Sequence, residues 1–131
     1  MKLTVCIIDD DLVSQFATRY SIEQSGQPCS SITCDSAGDC LETFKALLEQ
    51  KLEVPDIVLV DLVMGDKTGW DFLDSFSSIP DWPKETAIYI LSAFTNSKDR
   101  ARAKVHPLIQ GFFDKPLMKN DVESIFSSII G

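Results

Sequence analysis

Residues 55–69 read PDIVLVDLVMGDKTG, and the fold turns on this stretch. Four apolar residues, Ile57 to Val60, run without a break and stop at Asp61. The chain then turns through Gly65, Asp66, Lys67, Thr68 and Gly69. A run rich in β-branched residues, entered from a proline and left through glycines, predicts a strand buried on both faces. An aspartate at the end of such a strand costs free energy unless it is solvated, paired or bound to a cation. In open parallel sheets, ligands bind at the carboxyl ends of the strands. Asp61 is therefore a candidate site residue. The plainer alternative is that it caps the next helix or faces water.

The same pattern recurs on both sides of this strand. Leu3 to Ile8 is apolar or β-branched and ends on Asp9, Asp10 and Asp11. Leu12 to Gln24 carries Val13, Phe16, Ala17 and Tyr20 at helical spacing, and Gly26 and Pro28 stop it. CSSITC, 29–34, is a weaker strand. Asp35 or Ser36 caps a helix with Cys40, Phe44, Leu47 and Leu48 on one face. After Gly69, the residues Trp70, Phe72, Leu73 and Phe76 predict a short amphipathic helix. SSIPDWPKE, 77–85, is a loop because of its prolines. Ala87 to Leu91 is a strand ending on Ser92, and 96–105 is a thinly packed polar helix. Ile109 to Phe113 is a strand that leads to Asp114–Lys115–Pro116. Val122, Ile125, Phe126 and Ile129 mark the last helix. Strand then helix, five times over, predicts a parallel sheet covered by helices on both sides. The fold class is a flavodoxin-like, doubly wound five-stranded sheet of order 2-1-3-4-5 with five helices.

The chain has 131 residues with 44% hydrophobic and 24% charged, enough to bury a core without disulfide or metal staples. Its net charge of −8 is not the footprint of a nucleic-acid binder. No apolar stretch approaches a membrane span, and the N-terminal apolar run is too short for a signal peptide. A cytoplasmic location is the expectation. The cysteines at 6, 29, 34 and 40 form no CxxC pair and His106 is the single histidine, so zinc-ribbon and thioredoxin patterns are weak. Cys6 reads as a small core residue.

Four of the five strands end at residues of chemical interest: Asp9 and Asp10, Asp61, Ser92, and Lys115. Parallel strands bring these to one edge of the sheet. A cluster of three carboxylates repels itself, and a hard divalent cation such as Mg²⁺ relieves it. Asp10 and Asp61 are the expected direct ligands, Asp9 binds through a water, and the Val63 carbonyl completes the protein's share. The set suits phosphoryl transfer onto Asp61, with Lys115 and the Ser92 hydroxyl on the phosphoryl oxygens.

IIDDD, LVDLVMGDKTG, ILSA and DKP, in this order, resemble the receiver domain of two-component response regulators, of the chemotaxis-regulator-like kind. The resemblance covers essentially the whole chain, read as one receiver domain over 1–131 with no output domain. It implies a signalling domain rather than a true enzyme. Asp61 accepts the phosphoryl group from a sensor histidine kinase or phosphotransfer protein. Phe112, three before Lys115, is the implied aromatic switch, acting with Ser92. The Lys115–Pro116 peptide is expected to be cis. A downstream protein is expected on the face of the fourth helix, fifth strand and fifth helix, where the run KDRARAK, 98–104, begins. Gly65 stands where the family usually has proline, which implies a looser loop. Ser92 and Phe112 replace the commoner Thr and Tyr. Val63 and Phe94 flank the mouth of the site and are expected to exclude water.

Two other readings compete. Asp9-Asp10-Asp11-Leu12-Val13 fits the motif of a haloacid-dehalogenase-type phosphatase using Asp9, but that reading needs an acidic pair beyond Lys115 and leaves Asp61 idle. A receiver-like module that only binds, without phosphorylation, is the other. His106 reads as a surface residue, and Trp70 and Trp82 as packing residues, with Trp82 a partner contact if exposed.

Overall fold

A computed structural model describes residues 2–65, 67–93 and 96–130. The strands of the main sheet are β1 (Leu3–Ile8), β2 (Cys29–Cys34), β3 (Ile57–Val60), β6 (Ala87–Ser92) and β7 (Ile109–Asp114). They pair in the order β2-β1-β3-β6-β7, all parallel, which is the expected 2-1-3-4-5 when these five are counted along the chain. Between them lie α1 (Leu12–Gln24), α2 (Ala37–Glu49), α3 (Gly69–Ser77), α4 (Ser97–Val105) and α5 (Lys119–Ile130). The loop after β3 adds a small antiparallel pair, β4 (Val63–Met64) and β5 (Lys67–Thr68). Two-residue strands carry no periodicity, so the sequence shows only a turn there.

Strand alternation divides the apolar side chains between two cores. Cys6, Ile8, Val58, Val60, Ile88 and Ile90 face the helices α2, α3 and α4, where Phe44, Phe72 and Leu73 fill the space. Leu3, Val5, Ile7, Ile57, Leu59 and Leu91 face α1 and α5, against Ile22, Val122, Ile125 and Phe126. Helix starts follow local chemistry. Ser36 accepts from the Asp39 N–H, and Thr68 forms a capping box with Asp71. Of the two candidate caps for α2, Ser36 is the one used.

Helix α1 departs from its apolar stripe. Leu12, Val13, Phe16, Ala17 and Tyr20 are all exposed, and the buried residues are Gln15, Thr18 and Ile22. The buried side of the helix is thus largely polar, because it lies over the carboxyl edge where Gln15 has hydrogen-bond work to do. Trp82 is not an exposed contact: it packs against Phe44 and Phe76, and its Nε1 donates to Thr86 Oγ1 at 2.8 Å. Among the described residues no helix is long and apolar enough to cross a membrane.

Candidate functional site

The carboxyl edge of the sheet collects three carboxylates and one ammonium. Asp9 follows β1, Asp61 follows β3, Ser92 ends β6 and Lys115 follows β7. Main-chain bonds fix where these side chains start. The Asp9 N–H donates to the Cys34 carbonyl (3.0 Å), the Asp61 N–H to Ile8 (3.0 Å) and the Lys115 N–H to Ser92 (2.9 Å). Each bond carries the ladder one residue beyond a strand, so positioning is inherited from the sheet.

Lys115 Nζ donates to Asp9 Oδ2 at 2.7 Å and to Asp61 Oδ2 at 2.8 Å. Asp9 and Asp61 are 2% and 8% exposed, whereas Asp10 is open to solvent. Burial opposes the charge on Lys115, but the hydrogen bonds and charges of Asp61 and Asp9 outweigh it, and its pKa lies above the ordinary lysine value. One oxygen from each of Asp9, Asp10 and Asp61 falls within 4.8 Å of the others. This donor set is all oxygen and anionic, partly buried and open on the Asp10 side. It fits a small hard cation such as Mg²⁺ and not a soft one.

Around the carboxylates the sequence reading missed a supporting layer. Ser14 Oγ donates to Asp9 Oδ2 (2.6 Å), and the Asp11 N–H donates to Asp9 Oδ1 (3.0 Å). Asp11 itself caps α1 through the Val13 N–H. Gln15 Nε2 reaches both the Asp9 carbonyl (2.6 Å) and Asp35 Oδ1 (2.8 Å). The signal for Gln15 was its register with Ile22, seven residues on, which a search for apolar stripes passes over. Gly69 is the other omission. A Cβ there would stand 2.7 Å from the Asp61 carbonyl oxygen, so only glycine lets α3 start this close.

The remaining expected residues take these places. The Val63 N–H donates to Asp61 Oδ1 (3.1 Å), and its side chain is 63% exposed. Gly65 has φ of +52°, a value proline cannot adopt, so glycine here belongs to the turn leaving β4. Ser92 is buried. Phe112 is half-buried on β7, two positions from the Asp114 that pairs with Ser92, and the Arg100 guanidinium lies 4.9 Å from its ring centre. The Lys115–Pro116 peptide is cis, as expected. Phe94 lies outside the described residues. His106 is half-buried rather than a free surface residue, and its Nδ1 accepts from the Leu108 N–H. Among the described residues beyond Lys115 the phosphatase reading lacks its strand: Asp121 and Glu123 sit in α5, and Asp121 accepts from the Met118 N–H.

Residues 5–127 match the family described as the response regulator receiver domain. No curated protein matches the chain. Solved structures share its fold. A two-component response regulator from Cytophaga hutchinsonii is 22% identical, with 99% of this chain and 98% of that one covered and a TM-score of 0.86. A response regulator from Legionella pneumophila is 17% identical, with 97% of each chain covered and a TM-score of 0.81. A CheY-like receiver domain from Methylobacillus flagellatus is 18% identical over 98% of this chain and 99% of that one, with a TM-score of 0.78.

Proposed function

The chain belongs to the response regulator receiver domain family, and from that premise we propose that it signals by accepting a phosphoryl group on Asp61. The observation that supports this most is the double contact of Lys115 with Asp9 and Asp61 at the carboxyl edge. It gives Asp61 a charged partner beside the oxygen that would carry the phosphoryl group.

The donor is a phosphohistidine on a sensor kinase or phosphotransfer protein. In the transfer, an Asp61 oxygen forms a bond to phosphorus as the P–N bond to the donor imidazole breaks. Lys115 stays beside Asp61 Oδ2 and meets the phosphoryl oxygens, and the Ser92 hydroxyl donates to another. The Val63 N–H holds the second Asp61 oxygen and orients the carboxylate. Asp9, Asp10, Asp61 and the Val63 carbonyl are the groups that would hold Mg²⁺, which when bound neutralises charge on the phosphoryl oxygens. Ser14, Gln15 and the Asp11 N–H keep Asp9 in place for that task.

The exposed apolar side of α1 rims this site. Val13, Ser14 and Ala17 line one depression with Lys115 and Pro116. A donor protein that covers Leu12, Val13 and Phe16 removes apolar area from water while presenting its imidazole to Asp61. Output follows from a population shift. Phosphoryl contacts to Ser92 and Lys115 favour a state in which Phe112 turns inward, altering the face of α4, β7 and α5 for a protein target. Intact-protein mass spectrometry with acetyl phosphate tests the proposal. One added phosphoryl group is expected only with Mg²⁺, and none on Asp61→Asn; modification of that variant to the same extent refutes it.

A further inference from the structure

A second cluster of chemically active side chains lies in the core between the sheet and α2. Cys6 of β1, Cys34 of β2 and Cys40 of α2 are free thiols, each no more than 1% exposed. Cys6 Sγ lies 3.8 Å from Cys40 Sγ and 4.0 Å from Cys34 Sγ, and all three sulfurs fall within 4.8 Å of one another. Three separate elements deliver them. Cys6 points to the α2 side by strand alternation, Cys34 ends β2, and Cys40 sits in the first turn of α2 behind its Ser36 cap. The fourth cysteine, Cys29, belongs to the opposite core.

We propose that Cys6, Cys34 and Cys40 form a site for a soft, thiophilic d¹⁰ cation of the cuprous class. Metal–sulfur bonds of about 2.3 Å place the donors of a trigonal site about 4.0 Å apart. The observed separations meet this with small side-chain rotations. An all-sulfur donor set selects soft cations over hard ones. Among the described residues no histidine, carboxylate or further cysteine joins the group. Structural zinc takes four protein ligands, and a three-coordinate soft ion does not need the fourth. On binding, S–H bonds give way to metal–sulfur bonds, the released protons go to solvent, and no electron is transferred. The site goes beyond the phosphoacceptor reading and does not rest on it.

The test uses the full reduced chain under anaerobic conditions, without Mg²⁺ or phosphodonor, titrated with Cu(I) held by a chromogenic chelator. The wild-type chain and Cys29→Ser are expected to withdraw one equivalent. Cys6→Ala, Cys34→Ala and Cys40→Ala, checked for folding by circular dichroism, are expected to withdraw none. X-ray absorption of the loaded wild-type chain should show three sulfur neighbours, which keeps the test decisive if a variant fails to fold. Copper left with the chelator, copper lost in Cys29→Ser, or a nitrogen and oxygen shell would overturn the proposal. So would refusal of Cu(I) by a chain in which hydrogen peroxide oxidises two of the three clustered thiols, since the cluster would then be a redox pair.

Discussion

Lys115 pairs with two carboxylates at once, and its side chain is only 15% exposed. Removing it leaves Asp9 and Asp61 facing each other with no counter-charge. Lys115→Met should therefore lower stability by about 1–3 kcal/mol in metal-free buffer, read from urea midpoints. The pH dependence has a definite sign. The folded pKa of Lys115 is raised, so its pairing stabilises fully at neutral pH and is lost as pH climbs through that raised value, above the ordinary lysine value of about 10.4. The stability gap between parent and Lys115→Met should stay constant from pH 7 to 9 and close in that alkaline range. A gap that closes on acidification from pH 7 to 6 would contradict the pairing. Val63 belongs to the same scale. Its backbone N–H holds Asp61 Oδ1, and its exposed isopropyl group offers attacking water no hydrogen bond. Val63→Asn should hasten loss of the phosphoryl group about tenfold, the kinetic equivalent of one hydrogen bond of about 1.4 kcal/mol. An unchanged lifetime would show that this position does not control water.

Helix α1 separates what was legible in the sequence from what was not. The strands were legible because β1, β3 and β6 are apolar on both faces, and their alternation with helical segments suits a covered parallel sheet. Their carboxyl ends, together with that of β7, made Asp9, Asp61, Ser92 and Lys115 visible as a group. The facing of α1 was not legible. Leu12, Val13 and Phe16 outweigh Gln15 and Thr18 on any apolar scale, yet the polar pair is inside. Packing position overrides the stripe here, since Gln15 bridges Asp9 and Asp35. The element thus makes opposite predictions for its two sides. Ile22→Ala should cost about 2–5 kcal/mol, because it empties part of the core against α5. Phe16→Ser should change stability by less than about 0.5 kcal/mol while slowing phosphoryl transfer from a protein donor. Equal losses of stability in the two variants would show that the stripe is packed after all. The small β4 and β5 pair and the close start of α3 at Gly69 also escaped the sequence reading, because neither leaves a periodic trace.

At the scale of the whole molecule, a rigid sheet carries the site on one edge and helices on both faces. In the proposed function phosphorylation acts at that edge, and its effects would then travel along β6 and β7 toward α4. Ser92 and Phe112 lie on these two paired strands, and Arg100 of α4 covers the Phe112 ring and pairs with Asp114 at 2.6 Å. Beryllofluoride with Mg²⁺ should therefore change amide hydrogen exchange in β6, α4 and β7 and leave α2 as it was. Uniform protection across both cores would mean simple stabilisation rather than a switch. All of this depends on where the phosphoryl group attaches. Borohydride reduction of the phosphorylated chain, followed by peptide mass spectrometry, converts an acyl-phosphorylated aspartate to homoserine and reads the position directly. The account predicts homoserine at 61 and at no other position; homoserine at 9 or 10, or none at all, would contradict it.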